Sequence, residues 1–279
     1  MLDGAAIGRS SCAQPEPTMK KALLFCLALL ALAAQAVFAE GLDLTWRACN
    51  TDPGRTSGAV FDCAAPGGAA IDLFGCFQVA VPQDSFIAMD CSLFLWVDDP
   101  AGPALDDFWH FESGACNDVA RGSVVISITR PDSLCDGTAA IGRWDEQTAF
   151  GIAYRQLDPG SVRAWCLAGF NLSITRAKPF TLRATTNYFG FRITFSTVNA
   201  VENQSGQCVG CPYTGSLAWS YATLYSIRAG SGPYILSGPG IVGSCVTFNG
   251  PGCCGTDCFV CNAVPVRNRT WGQLKSLYR

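Results

Sequence analysis

The chain has 279 residues, of which 49% are hydrophobic and only 15% are charged, with a formal net charge of −3. High hydrophobicity with low net charge excludes a disordered chain, and the lack of a basic excess argues against a nucleic-acid-binding protein. Sixteen cysteines stand against one histidine, so histidine-dependent catalysis would have to rely on His110 alone.

The start of the chain is predicted to be a targeting segment. Residues 19–21 (Met-Lys-Lys) are positively charged, residues 22–32 form an apolar run, and residues 37–39 (Val-Phe-Ala) offer small side chains before a cleavage point. This pattern is typical of a secretory signal peptide over 19–39, cleaved after Ala39. We therefore expect a secreted protein that is extracellular or held at the cell surface.

The remaining chain is expected to be one domain. Residues 1–18 are interpreted as an extension from a misassigned start, and residues 40–279 as a single disulfide-rich domain. No second apolar run is long enough to span a bilayer, so we expect no membrane span after signal cleavage. An uncleaved N-terminal anchor and a lipoprotein acylated at Cys26 are the alternatives.

Strand patterns follow one another through this domain. Runs rich in β-branched and aromatic residues cover 42–46, 71–81, 86–97, 123–129, 162–175, 180–198, 217–227 and 241–248. Gly, Pro, Asn and Asp clusters separate the runs at short intervals, which favours an antiparallel sandwich or barrel. The sequence predicts an all-β fold, an antiparallel jelly-roll-like β-sandwich.

Two details of pairing and burial are predicted as well. The runs 71–81 and 86–97 are joined by a Pro-Gln-Asp turn, which is typical of a hairpin. Alternation along 180–198 places four apolar side chains on one face: Phe189, Phe191, Ile193 and Phe195.

One helix is predicted, at the end of the chain. Thr270-Trp-Gly-Gln273 matches a capping box, and apolar residues continue from it at helical spacing. A short C-terminal helix could dock on the sandwich, or it could act as a sorting or attachment tag.

Fourteen cysteines remain once Cys12 and Cys26 leave with the leader. They are Cys49, Cys63, Cys76, Cys91, Cys116, Cys135, Cys166, Cys208, Cys211, Cys245, Cys253, Cys254, Cys258 and Cys261. An even count on an exported chain predicts a disulfide framework of up to seven bridges. Spacing favours the local pairs 49–63, 76–91 and 116–135, each stabilising by roughly 3 kcal/mol.

Two Cys-x-x-Cys pairs leave alternatives open. Cys208 with Cys211, and Cys258 with Cys261, could together hold zinc or an iron–sulfur centre, because four thiolates make a tetrahedral site. A redox role would need the helix N-terminus that usually lowers a thiol pKa, and a turn-like Pro-Tyr-Thr-Gly follows Cys211 instead. Disulfides are the favoured interpretation.

Carboxylates are the residues that come closest to catalytic chemistry. Asp98, Asp99, Asp106, Asp107, Glu112 and Asp118 lie within about twenty residues. Paired acids could hydrolyse glycosides, and the aspartates at 98, 99, 106 and 107 could bind a structural Ca²⁺. Solvated acidic loops are the simplest interpretation, so we predict no cofactor other than this candidate calcium.

Aromatic residues suggest a ligand-binding surface. Trp109, His110, Trp144 and Tyr188 are the candidate binding residues, within a wider set of tryptophans and tyrosines that includes Tyr221 and could stack on sugars. Tryptophans of a sandwich pack more often in its core. The motifs Gly-x-Ser-x-Gly and His-Glu-x-x-His do not occur.

The C-terminal block Val264-Pro-Val-Arg-Asn-Arg-Thr-Trp-Gly-Gln-Leu-Lys-Ser-Leu-Tyr-Arg279 resembles the ending of a group of uncharacterised secreted, cysteine-rich bacterial proteins. Weaker matches are Leu42–Trp46, Phe108–Cys116, Asn187–Ile193 and Cys208–Cys211. The resemblance implies a secreted bacterial protein with one continuous domain, and it transfers no catalytic residue.

Together these features predict a secreted, non-enzymatic binding or structural protein with a glycan or cell-surface partner. A glycoside-active enzyme using carboxylates of 98–118 is one alternative. A metal or redox protein using the C-terminal cysteines is the other.

Overall fold

The computed structural model describes residues 40–97, 105–118, 122–141, 150–156, 168–203, 206–228 and 232–250. All of them belong to one compact unit, Ala39–Arg279. Within these ranges the strands are β1 Gly41–Trp46, β2 Gly58–Ala59, β3 Ala70–Gln78, β4 Gln83–Val97, β5 Val124–Ser127, β6 Phe150–Gln156, β7 Ala168–Leu182, β8 Tyr188–Ser196, β9 Gly215–Ser226, β10 Tyr234–Ser237 and β11 Cys245–Phe248. Short 3-10 turns occupy Asp107–Trp109, Asp132–Leu134 and Val201–Asn203.

The strands form two sheets. The first has four strands in the order β1-β3-β8-β5, and the second has the order β2-β11-β9-β4-β7-β6, with β10 paired to β9. Neighbouring strands run antiparallel, except β2 and β11, which are parallel. The predicted all-β, disulfide-braced antiparallel sandwich is therefore confirmed.

Large aromatic side chains fill the space between the sheets. The ring of Phe191 on β8 lies 4.8 Å from that of Trp219 on β9, centroid to centroid. Trp46 on β1 is fully buried, and its indole N–H donates to the backbone carbonyl of Thr247 on β11 at 2.8 Å. This bond satisfies the one polar group that burial of the indole would otherwise leave unpaired.

The predicted hairpin of 71–81 and 86–97 is wrong. Strand β3 pairs with β1 and β8 in the first sheet, whereas β4 pairs with β7 and β9 in the second. The turn between them therefore carries the chain across the core. Strand β3 is buried continuously over residues 73–78, and β4 buries Met89, Cys91, Leu93 and Leu95 in alternation. Neither pattern distinguishes two neighbours in one sheet from two strands that face each other.

A bulge changes the face on which Phe189 lies. Gly75 is paired with Phe191 and the next residue, Cys76, is paired with Phe189, so Gly190 is skipped. Phe191 stays in the core between the sheets, while Phe189 packs in a separate cluster with Cys76. The prediction that Phe189 shares a face with Phe191 is therefore wrong, because one extra residue reverses the alternation.

Several predicted features lie outside the described residues. They are the signal peptide over 19–39, the C-terminal helix at 270–278, and Cys166, Cys253, Cys254, Cys258 and Cys261. In the part of the chain that the structure describes, no helix is long and apolar enough to cross a membrane.

The disulfides connect distant segments and not the predicted local pairs. The bridges are Cys49–Cys135, Cys63–Cys211 and Cys116–Cys208, with sequence separations of 86, 148 and 92 residues, and Cys245 is disulfide-bonded too. The predicted pairs 49–63 and 116–135 are wrong because each of these cysteines meets a partner that the sheet topology brings from elsewhere. Both sulfurs of the Cys208-x-x-Cys211 pair are used in separate bridges, so this pair offers no thiolate to a metal and forms no internal redox disulfide.

Cys76 and Cys91 are free, buried thiols. The predicted bridge between them is wrong because Cys91 packs in the main core between the sheets, whereas Cys76 packs with Phe189 in a separate cluster. Desolvation raises the pKa of the Cys76 thiol to about 12 and raises that of Cys91 well above its ordinary value. Both thiols therefore stay protonated and behave as small core residues.

Asp43 connects β1 to the segment that joins β10 and β11. Its buried carboxylate accepts backbone N–H bonds from Ile241, Val242 and Gly243 at 2.7–3.0 Å. A Cβ atom on Gly240 would lie 2.5 Å from a carboxylate oxygen of Asp43, so glycine is required there. We call this arrangement the Asp43 clasp.

The clasp continues into a buried polar network. The side-chain amide of Asn50 donates to Asp43 at 2.6 Å and to the side-chain carbonyl of Asn187 at 3.0 Å. The amide of Asn187 donates in turn to Asn50 and to the hydroxyl of Thr138. These bonds link β1, the loop beside the Cys49–Cys135 bridge and the start of β8.

Substituting Asp43 should cost stability. Asp43→Asn keeps the shape of the side chain but replaces a charged acceptor with an amide, which turns a donor toward backbone N–H groups that are already donors. We expect the free energy of unfolding to fall by about 2–3 kcal/mol, measured by chemical denaturation with the disulfides intact. Asp136→Asn, in an exposed loop, should change it by less than about 0.5 kcal/mol, and an equal effect of the two substitutions would contradict the clasp.

The two free thiols should be unreactive in the folded protein. Because burial keeps Cys76 and Cys91 protonated, an alkylating reagent should label neither of them under native conditions and both of them after unfolding without reductant. Peptide mapping of the non-reduced protein should recover the 49–135, 63–211 and 116–208 links. Recovery of a peptide that joins 76 to 91 would contradict the placement of the two thiols in separate clusters.

Candidate functional site

The segment 105–118 holds the only histidine of the chain in a closed hydrogen-bond arrangement. The Nδ1 atom of His110 lies 2.7 Å from a carboxylate oxygen of Glu112, and its Nε2 atom lies 2.9 Å from the carbonyl oxygen of Leu105. Both partners are acceptors, so both ring nitrogens act as donors in the imidazolium form. This geometry fits a structural cation and provides no free nitrogen for proton transfer.

Electrostatics around His110 favour the charged ring. Burial lowers its pKa, but the hydrogen bond to Glu112, the carbonyl of Leu105 and the negative charges of Glu112 and Asp107 outweigh burial and raise the pKa above its ordinary value. The other carboxylate oxygen of Glu112 is buried without a hydrogen-bond partner. His110 thus serves to hold its own loop.

The acidic residues near this loop do not form a described metal site. Asp98 and Asp99 lie outside the described residues. The carboxylate of Asp118 accepts the backbone N–H of Gly114 at 2.8 Å, which is a loop-stabilising bond. Within the described ranges, no three His, Cys, Asp or Glu side chains lie close enough to share an ion. Asp106 and Asp107 are among these described residues, so they belong to no such group.

Two of the predicted sugar-stacking residues are buried. Trp109 has no exposed surface, its ring lies 4.4 Å from that of Phe248, and its indole N–H donates to the carbonyl of Gly210 at 2.8 Å. Tyr188 is 2% exposed, and its hydroxyl accepts the backbone N–H of Arg183. Both rings are used in packing, and Trp144 lies outside the described residues.

An exposed aromatic surface lies elsewhere, on the outer side of the second sheet. Strand β9 turns Trp219, Ala222 and Leu224 toward the core, while Tyr221 and Tyr225 are 42% and 38% exposed. We call the outer surface formed by Tyr221, Thr223 and Tyr225 on β9, Asp90 on β4, Ser173 on β7 and Ile235 on β10 the tyrosine face.

The register of four strands brings these side chains together. Thr223 is paired with Ile235 on one side and with Asp90 on the other, and Asp90 is paired with Ser173. Tyr221 and Tyr225 lie two residues before and after Thr223, so they flank this row on the same face. The result is a row of hydroxyl, carboxylate and apolar groups between two tyrosines.

A hydrogen bond orders the centre of the tyrosine face. The hydroxyl of Tyr225 donates to a carboxylate oxygen of Asp90 at 2.9 Å. This bond, with smaller effects of burial and of the neighbouring Asp90 and Tyr221, raises the pKa of Tyr225, so its hydroxyl stays protonated and continues to donate. A carboxylate offers about four acceptor positions, and the Tyr225 bond occupies one of them.

Sequence reasoning included Tyr221 among the stacking candidates but missed Tyr225 and Asp90. The segment Tyr221-Ala-Thr-Leu-Tyr225 alternates polar or aromatic residues with Ala222 and Leu224. This period of two predicts that both tyrosines lie opposite the buried face, and it could have identified them. Asp90 gives no such signal, because only strand pairing places it beside Thr223.

The described grooves offer less to a ligand. One of about 400 Å³ lies between loop 60–62 and the start of β3, with Arg47 and Asp72 in its wall. Asp72 already accepts a hydrogen bond from Thr194 and lies 3.8 Å from a guanidinium nitrogen of Arg192. The carboxylate of Asp72 in the wall of this groove is therefore engaged in the fold.

Comparison with known proteins assigns the chain to no family. No protein-family model matches the chain, and no curated protein is similar to it.

The His110 arrangement predicts a pH dependence of stability. Because the pKa of His110 is raised on folding, its contribution is complete below the ordinary value of about 6.5 and is lost as the pH rises through the folded pKa. We expect the unfolding midpoint to decrease across this window. His110→Gln should remove that decrease, and the single imidazole can be followed by NMR. A folded pKa below the ordinary value would contradict this account.

Proposed function

We propose that this protein is a secreted, non-enzymatic binding protein that recognises carbohydrate through the tyrosine face. The observation that carries the proposal is the pair of exposed rings, Tyr221 and Tyr225, flanking a row that contains Thr223 and Asp90. Tyrosine rings offer apolar surfaces to the C–H faces of sugar rings, and their hydroxyls add polar contacts. The Asp90 carboxylate is suited to accept hydrogen bonds from sugar hydroxyls.

The backbone beneath the tyrosine face is held in place by strand pairing, which supports specific recognition. Strands β4 and β9 are central in the second sheet, and β4 is paired along its length with both β7 and β9. The backbone of paired central strands loses little conformational freedom on binding, so less of the interaction energy is used to order it. Tyrosine, with two rotatable side-chain bonds, adds a small entropy cost.

The spacing of the tyrosines sets the size of the ligand. Tyr221 and Tyr225 are four residues apart on one strand, which corresponds to about 13 Å. A ligand that contacts both rings must therefore contain more than one sugar ring. We infer an oligosaccharide or polysaccharide, and not a monosaccharide, as the ligand.

The proposed location outside the cell has separate support. Residues 19–39 match a secretory signal peptide, and the C-terminal block resembles that of secreted bacterial proteins. The three described disulfides fit an oxidising compartment.

No described contact favours the enzymatic alternative over binding. Glu112 is bonded to His110, and Asp118 to a backbone amide of its own loop. The proposal of a binding function therefore rests on the tyrosine face and not on the absence of catalytic residues.

Removing either tyrosine should weaken binding without unfolding the protein. We expect Tyr221→Ala or Tyr225→Ala to weaken binding to a responsive glycan about tenfold, which corresponds to about 1.4 kcal/mol, because each change removes one stacking surface. A glycan array would identify the responsive glycan, and calorimetry would measure the affinities.

The control is Val125→Ala. Val125 is 51% exposed on β5, an edge strand of the other sheet, so its truncation should leave glycan affinity unchanged. Loss of affinity in the Val125 variant, or full affinity in both tyrosine variants, would contradict the proposed binding face.

A further inference from the structure

Asp90 gives the tyrosine face a charge that nothing described beside it balances. Within the part of the chain that the structure describes, its carboxylate accepts one hydrogen bond, from the neutral hydroxyl of Tyr225. Among the described residues, no lysine or arginine side chain lies within ion-pair distance of Asp90, whereas Asp72 and Asp132 each have an arginine nearby. Thr223, Ser173 and Ile235, which share its row, are uncharged.

The position of Asp90 makes this charge available to a ligand. It lies in the row between the two tyrosines, and it interacts electrostatically with Tyr225, which in turn is influenced by Tyr221. A ligand that stacks on both rings would therefore pass over the carboxylate. An ammonium group in that ligand would gain a charge-assisted hydrogen bond, while a carboxylate or sulfate would be repelled.

We propose that Asp90 makes the tyrosine face selective for oligosaccharides that carry ammonium groups, namely amino sugars such as oligomers of glucosamine. This inference rests on the proposed carbohydrate-binding function and specifies the class of sugar. Stacking on the tyrosines supplies affinity for sugar rings in general, and the single carboxylate supplies the preference among them.

The test compares three oligomers of equal length at a mildly acidic pH, at which glucosamine amines are protonated. They are the glucosamine oligomer, its N-acetylated and therefore neutral counterpart, and an oligogalacturonate. Calorimetry should show the glucosamine oligomer binding about fivefold more tightly than the neutral one, the size expected of an exposed ion pair. The oligogalacturonate should bind weakest, and added salt should narrow all of these differences.

Asp90→Asn identifies the source of the preference. The substitution removes the charge but keeps an acceptor for Tyr225, so the fold is retained, which circular dichroism would verify. The ratio between the glucosamine and the neutral oligomers should fall from about five to about one. Asp136→Asn, which removes the same charge from an exposed loop, should leave the ratio unchanged and thereby exclude a general effect of net charge.

The possible results separate the two proposals. Equal affinities for the charged and neutral oligomers in the unmodified protein, or an unchanged ratio in Asp90→Asn, would overturn the amino-sugar preference. If the neutral oligomer still bound and Tyr221→Ala weakened it, carbohydrate binding itself would stand. If none of the oligomers bound, or if binding ignored both tyrosines, the proposed function would be wrong as well.

Discussion

The Asp43 clasp is the interaction on which the edge of the sandwich depends. A single buried carboxylate, on the first strand of the domain, accepts three consecutive backbone N–H groups from residues 241–243 near the other end of the described chain. The amide of Gly243 would otherwise be a buried donor without a partner, at a cost of about 1–3 kcal/mol, while Ile241 and Val242 lie nearer the surface. The same carboxylate orients Asn50, and through it the network that reaches Asn187. The carboxylate of Asp43 thus connects strands of both sheets.

The architecture was predictable from the sequence to the extent that periodicity governs it. Alternation predicts the burial of Leu42, Leu44 and Trp46 on β1, and these residues are all in the core. Periodicity does not encode which strands are neighbours. The β3–β4 connection has the pattern of a hairpin, yet the two strands face each other across the core. The bulge at Gly190 likewise depends on a pairing register that single-strand patterns do not contain.

In the candidate site, too, the features set by alternation were predictable from the sequence, and those set by strand pairing were not. The exposure of Tyr221 and Tyr225 follows from alternation with Ala222 and Leu224, so it was predictable. The burial of Trp109 was not, because the segment Phe108-Trp109-His110-Phe111 has no period that separates an inner from an outer face. Its depth results from contacts with remote residues, including Phe248 and Gly210. The position of Asp90 on the tyrosine face follows only from the pairing of β4 with β9.

The long separations of the disulfides have a consequence for how the chain is made. A polypeptide emerges from its N-terminus, so Cys63 is available to react before Cys211, its partner 148 residues later, has been synthesised. Cys63 emerges before Cys135, the native partner of Cys49, and Cys135 emerges before Cys208, the native partner of Cys116, so non-native pairings are available before the native ones. Oxidation at that stage would form non-native disulfides, which must then rearrange by thiol–disulfide exchange. The yield of correctly folded protein therefore depends on that exchange. We therefore expect a disulfide isomerase, or a redox buffer that keeps early bridges reversible, to raise the yield of the native protein.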